Sequence, residues 1–154
     1  MKNLKKQSPI LLLSFLFMME SCSKSYTAPN PPANTNPSST VVSGTWIISS
    51  FTQATEDKTS LFDGYVFTFD SVGNIKAEKN GAVATGTWSY TPSSVGYYGS
   101  TPSKSSFTIN VGASVPLGSL TKTWNIDSTN TSSSKLALIS PEVVENMHVN
   151  FSKL

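Results

Sequence analysis

The chain has no arginine, one histidine and one cysteine, and only 13% of its residues are charged. No apolar run approaches the roughly 20 residues that a membrane-spanning helix needs. Each shortage excludes something. Without arginine, and with no basic cluster past Lys6, nothing matches the patches that neutralise nucleic-acid phosphates, so that partner class is set aside. His148 and Cys22 are too few to build a Cys/His zinc site. A lone cysteine forms no disulfide within the chain, so the fold rests on its core. No glycine-rich loop opens a helix, which argues against nucleotide binding, and no cofactor is expected.

What is present begins with a leader. Lys2, Lys5 and Lys6 form a positive start, and Ile10 to Met19 forms a ten-residue apolar stretch, the parts of a secretory signal. That stretch alone fits an ordinary signal peptide or a short anchor. Cys22 follows in Met19-Glu20-Ser21-Cys22, which resembles the lipobox of bacterial lipoproteins, a small residue before a cysteine whose thiol accepts diacylglycerol. Glu20 stands where that pattern usually has a small residue. The resemblance implies a lipoprotein signal peptide over 1–21 and lipid attachment at Cys22. Each buried methylene contributes about 0.8 kcal/mol, so two or three acyl chains anchor a protein essentially permanently. Ser23 and Lys24 carry no acidic run behind them, which favours an outer-membrane anchor facing the periplasm. Removing 1–21 leaves eight lysines and eight acidic residues, so the mature side chains are close to neutral.

Residues 22–42 then read as the lipidated cysteine and a tether. Pro29, Pro31, Pro32 and Pro37 stand among serine, threonine and asparagine, with nothing to bury, so a disordered, partly extended spacer is expected. At about 3 Å per residue it reaches about 50 Å when stretched.

From residue 43 to 154 the hydrophobic period is two. Tyr65-Val66-Phe67-Thr68-Phe69, Ser106-Phe107-Thr108-Ile109 and Met147-His148-Val149-Asn150-Phe151 all alternate. The pattern predicts eight strands: Thr45–Thr52, Tyr65–Asp70, Asn74–Lys79, Thr85–Tyr90, Ser106–Val111, Leu120–Ile126, Lys135–Ile139 and Asn146–Lys153. Asn80-Gly81 carries a hairpin signal, and Pro141 to Glu145 is the best candidate for a helical turn. The predicted inward set comprises Trp46, Ile48, Phe67, Phe69, Ile75, Ala77, Trp88, Tyr90, Phe107, Ile109, Leu120, Trp124, Ile126, Leu136, Leu138, Met147, Val149 and Phe151. Eight short antiparallel strands close most economically as an all-β, up-and-down barrel without edges, although a two-sheet sandwich buries the same residues.

Gly44-Thr45-Trp46 opens the first strand, Gly86-Thr87-Trp88 repeats it, and Thr123-Trp124 follows later. With Tyr65-Val66-Phe67-Thr68-Phe69, Lys135-Leu136-Ala137-Leu138 and the terminal Val149-Asn150-Phe151, this order resembles the lipocalin-like domains of bacterial lipoproteins. The resemblance implies an eight-stranded, calycin-like barrel that holds a small apolar molecule; from the inward set, Trp46, Phe67, Phe69, Trp88, Phe107 and Trp124 are the residues expected to line it. Lipocalins proper carry an arginine that packs over the tryptophan of the Gly-x-Trp opening; this chain has none.

Two readings of function follow. In the first, the barrel binds a small apolar or amphipathic ligand. In the second, it is a filled structural or interaction module, inhibitor-like, presenting loops to a protein or glycan; Tyr97 and Tyr98, hinged by Gly96 and Gly99, suit such contacts. An enzyme is not expected. A Ser/His arrangement would need His148 beside an acid such as Asp127, and no nucleophile-elbow pattern supports one. Glu56, Asp57 and Asp63 share a loop with Lys58 and read as solvated surface. Finally, Asp70-Ser71-Val72 and Asp127-Ser128-Thr129 resemble acceptor sequences for bacterial O-glycosylation.

Overall fold

Period-two segments joined by short turns must pair with their neighbours, and here the pairing runs full circle. The computed structural model describes residues 36–96 and 98–154. In chain order these form α1 (Pro37–Val41), β1 (Thr45–Gln53), β2 (Glu56–Asp57), a 3₁₀ turn (Thr59–Phe62), β3 (Val66–Phe69), β4 (Asn74–Lys79), β5 (Ala82–Thr91) and β6 (Ser106–Asn110). A second 3₁₀ turn (Leu117–Leu120), β7 (Lys122–Ile126), β8 (Lys135–Ile139) and β9 (Met147–Lys153) complete the chain. From β3 to β9 each strand pairs antiparallel with the next. The ladder from Trp46↔Lys153 to Gln53↔Met147 then joins β1 to β9, and Thr45↔Thr68 and Trp46↔Phe67 join β1 to β3. The result is a closed eight-stranded up-and-down barrel, not a sandwich, with the two-residue β2 folded back on β1 as an extra strand.

The inward face is the predicted one, with physically explicable exceptions. Tyr90 and Ile126 are only partly buried, at the strand ends. Phe51 is fully buried although it breaks the alternation begun by Trp46 and Ile48. A register shift between Ile48 and Ser50 inserts an extra residue, and the bulge turns the second half of β1 over. Phe62 and Leu117 join the core from the two 3₁₀ turns, which no strand pattern reveals.

Two boundaries move. The sequence pattern carries the tether through residue 42, yet Asn36 caps α1 through its side chain, and Pro37 and Val41 are buried. The folded domain therefore starts several residues before 43, because Val41 supplies both apolar surface and a carbonyl to the core. Pro141 to Glu145 forms a turn closed by Glu145 N–H to the Glu142 carbonyl, not a helical turn, leaving Val143 and Val144 exposed. Asn80 and Gly81 both take positive φ (52° and 81°), so the β4–β5 ladder continues directly to Lys79↔Ala82 and β5 starts earlier than Thr85.

Up-and-down order sorts the connections to two ends. One end collects α1, the β3–β4 turn, the β5–β6 loop, the β7–β8 loop and Lys153. The other collects the β1–β3 connection with its 3₁₀ turn, the β4–β5 hairpin, the β6–β7 connection and the β8–β9 turn.

Candidate functional site

Three indoles hold the barrel through hydrogen bonds as well as area. Trp46 Nε1–H donates to the Val41 carbonyl (2.8 Å), Trp88 Nε1–H to the Asp70 carbonyl (3.0 Å) and Trp124 Nε1–H to the Leu120 carbonyl (3.0 Å). Each indole thus spends its only polar group on a backbone carbonyl outside its own strand, tying a connection to the core. At the first end, α1 and Trp46 act together as a plug. Gly44 sits at φ 109°, and a Cβ there would lie 2.7 Å from Lys153 Cε, so the lysine stem lies where a side chain would stand. Lys153 Nζ lies 5.8 Å from the Trp46 ring centroid and donates to Ser43 Oγ (3.0 Å). A cation from the last strand therefore covers the Gly-x-Trp tryptophan.

The six residues expected to line a ligand chamber, Trp46, Phe67, Phe69, Trp88, Phe107 and Trp124, are all buried and belong to one hydrophobic cluster. Phe69 meets Trp88 edge-on at 5.8 Å and Phe107 at 5.9 Å, while Trp88 stacks on Phe107 at 5.2 Å. Phe67 and Phe151 meet edge-on at 5.4 Å. These rings occupy the space where a calyx would hold its guest. None of the six lines either of the two clefts described next.

The first cleft lies at the second end, above this core. It has a volume of about 480 Å³ and is lined by Tyr65, Ala77, Lys79, Ala82, Ala84 and Leu117, with Asn80, Val83 and Ser114 at its edge. Its cause is side-chain size. Ala77, Ala84 and Ala82 occupy inward positions of the β4–β5 hairpin where the other strands carry rings and branched aliphatics. Gly86 sits where β6 presses closest, since a Cβ there would lie 1.9 Å from the Asn110 carbonyl oxygen. Below Gly86 the wall turns inward with Trp88; above it the hairpin leaves a vestibule. Lys79 continues the inward phase of Ile75 and Ala77, and its Nζ lies 4.9 Å from the Tyr65 ring centroid. The ion pairs among the described residues use Lys58, Lys76 and Lys122, not Lys79. These lining residues were not singled out from sequence. The available signal was small residues at inward strand positions, followed by a lysine in the same phase.

A second cleft, of about 270 Å³, lies on the outer face of β8 and β9. Asp127, Asn130, Lys135, Ala137, His148 and Asn150 contribute to it. His148 faces outward as its neighbours Met147 and Val149 dictate, and it does share this cleft with Asp127. Asp127 is committed to its own loop: the Asn130 side-chain amide donates to Oδ2 (2.7 Å), and the Thr129 and Asn130 N–H groups donate to Oδ1. The Asn130 side chain, then those backbone donors and the His148 charge, hold the Asp127 carboxyl below the ordinary carboxylate value. Among the described residues, no serine, threonine or cysteine lines this cleft.

The remaining residues read from sequence are placed as follows. Tyr98 and Val95 are both exposed at the first end. Tyr97 and Cys22 lie outside the described residues. Glu56, Asp57 and Asp63 are exposed; Glu56 pairs with Lys58 and Asp57 accepts from Thr59, so they form loop structure. Ser71 and Ser128 are exposed in turns shaped by Asp70 and Asp127. Among the described residues, no group of three or more His, Cys, Asp or Glu residues is arranged to hold a metal ion, and no helix is long and apolar enough to cross a membrane. Comparisons with family models, curated proteins and solved structures returned no match.

Proposed function

We propose that this protein is a lipid-anchored envelope lipoprotein whose lipocalin-like barrel is a non-enzymatic binding module, taking a small apolar or amphipathic ligand at its open rim. The observation that carries this reading is the cleft of about 480 Å³ between the β4–β5 hairpin and the β6–β7 connection, with a mostly apolar wall and a few polar groups at its edge. That combination of volume and lining suits a small amphipathic guest. The lipocalin-like reading draws on the closed eight-stranded barrel and on the Gly-x-Trp opening, whose Trp46 is covered by a cation, Lys153. The anchor is supported by Cys22 behind its apolar leader, and the absence of acidic residues after Cys22 supports an outer-membrane position facing the periplasm.

Native mass spectrometry of the protein purified from its own envelope tests the ligand reading: a retained small molecule is expected, and a ligand-free barrel that ignores amphipathic probes overturns it. Replacing Cys22 with serine tests the anchor, because a variant that still partitions with membranes refutes lipid attachment there. A second reading, a loop-presenting module for a protein or glycan, is favoured by the filled interior and by exposed Val72, Val95 and Tyr98 at the other end. A photo-crosslinker at position 98 that captures one discrete envelope partner in intact cells would favour it over the first.

A further inference from the structure

We infer that the rim cleft selects an amphipathic molecule with a single negative charge, a fatty carboxylate, and that Lys79 is the residue that reads the head group; this rests on the ligand reading above. Three features of the cleft lead there. Its wall is aliphatic and aromatic, from Ala77, Ala84, Leu117 and Tyr65, which suits an alkyl chain. Lys79 is half-buried in it, held against the Tyr65 face and without a carboxylate partner among the described residues. Tyr65 is itself fixed by ring contacts with Phe62 (6.4 Å) and Phe67 (6.1 Å), so the ammonium rests on a rigid platform. A cation on an aromatic face beside apolar wall gains a strong charge-assisted partner when a carboxylate arrives.

The charge count favours a carboxylate over a phosphate monoester. One ammonium neutralises one negative charge, and the other polar groups on the rim, Asn80 and Ser114, are neutral donors that bring no second cation. Glu78, next in sequence, points to the opposite face and is engaged by Lys76 at 3.0 Å, so it does not compete for Lys79. The interior of the barrel is not involved, because its rings already fill it.

The test uses the full chain carrying Cys22→Ser, so that no covalent acyl chain competes, with decanoate and decanol titrated by calorimetry. Decanoate is expected to bind about tenfold more tightly than decanol, the scale of one charge-assisted contact at a partly exposed site. Lys79→Gln should bring decanoate down to the level at which the same variant binds decanol, while Lys79→Arg should retain most of the preference. Added salt should weaken decanoate in the parent chain and not in Lys79→Gln. Equal binding of the two probes, or a preference that survives Lys79→Gln, overturns the head-group inference and leaves the amphipathic ligand reading intact. Binding of neither probe by a chain whose spectrum shows it folded overturns both.

Discussion

The two ends of this barrel are made from the same eight strands and behave as different materials. At the first end, Trp46 and Trp88 bond to carbonyls of α1 and the β3–β4 turn, Val41 is fully buried, and Lys153 covers Trp46. Rings meet rings, and little is left to occupy. At the other end the β4–β5 hairpin carries alanines inward, and a cleft remains. Its rim exposes an aliphatic side chain from each connection: Leu61, Val83, Val115, and Val143 with Val144. The difference teaches that closing a sheet into a barrel does not decide whether it is a container. Volume at each level does, and large inward rings over strands this short make a core.

The comparison breaks first at the closed end. Trp46→Ala removes a fully buried indole and the partner of the Val41 carbonyl. It should cost about 3–5 kcal/mol in urea unfolding, a large share of the stability of a small domain. A loss below about 1 kcal/mol would mean that the plug is not structural. Gly86→Ala probes the boundary between the ends. The added methyl meets the Asn110 carbonyl, so the β5–β6 ladder must spread, at about 1–3 kcal/mol by the same measurement.

At the open end Glu145 ties two elements together electrostatically. It accepts from Lys122 on β7 and from Ser140 Oγ (2.6 Å), strapping the β8–β9 turn to β7. Lys122, then Ser140, hold its carboxyl below the ordinary value. A depressed native pKa means that this contribution is present above the unfolded pKa and is lost as pH falls through the native one. Glu145→Gln should therefore lower stability modestly near neutral pH and flatten the acid limb of the stability profile. An unchanged profile would show that the strap carries no weight. The smallest effect on stability comes from Ala82→Leu, which fills the cleft from an exposed position and should shift unfolding by no more than about 0.5 kcal/mol. The same change should abolish decanoate binding, and retention of binding would move the ligand elsewhere.

Much of the fold was legible because alternation is local. Phe67 and Phe69, or Leu136 and Leu138, declare one face of a strand without reference to anything distant. Phe51 did not, because the bulge that turns it inward is set by pairing with β9, about a hundred residues away. Phe62 and Leu117 were hidden in loops for the same reason: their burial is decided by what lies beneath the turn. The candidate site was less legible than the fold. The six aromatics were correctly read as inward, yet the space left at the hairpin end depends on how side chains from several strands pack together. Lys79 closes a predicted strand, and its place over the Tyr65 ring is set by a connection from elsewhere in the barrel.

Sequence alone determined that this chain builds short antiparallel strands with one apolar face and carries a single cysteine behind an apolar stretch. Those are properties of neighbouring residues and of composition, and they hold in any arrangement. Tertiary structure alone decided that the sheet closes, through β1 against β9, and that the closed interior is full at one end and open at the other. Closure depends on long-range register, and open volume is what remains after all side chains have been packed together. Neither quantity belongs to any single stretch of the chain.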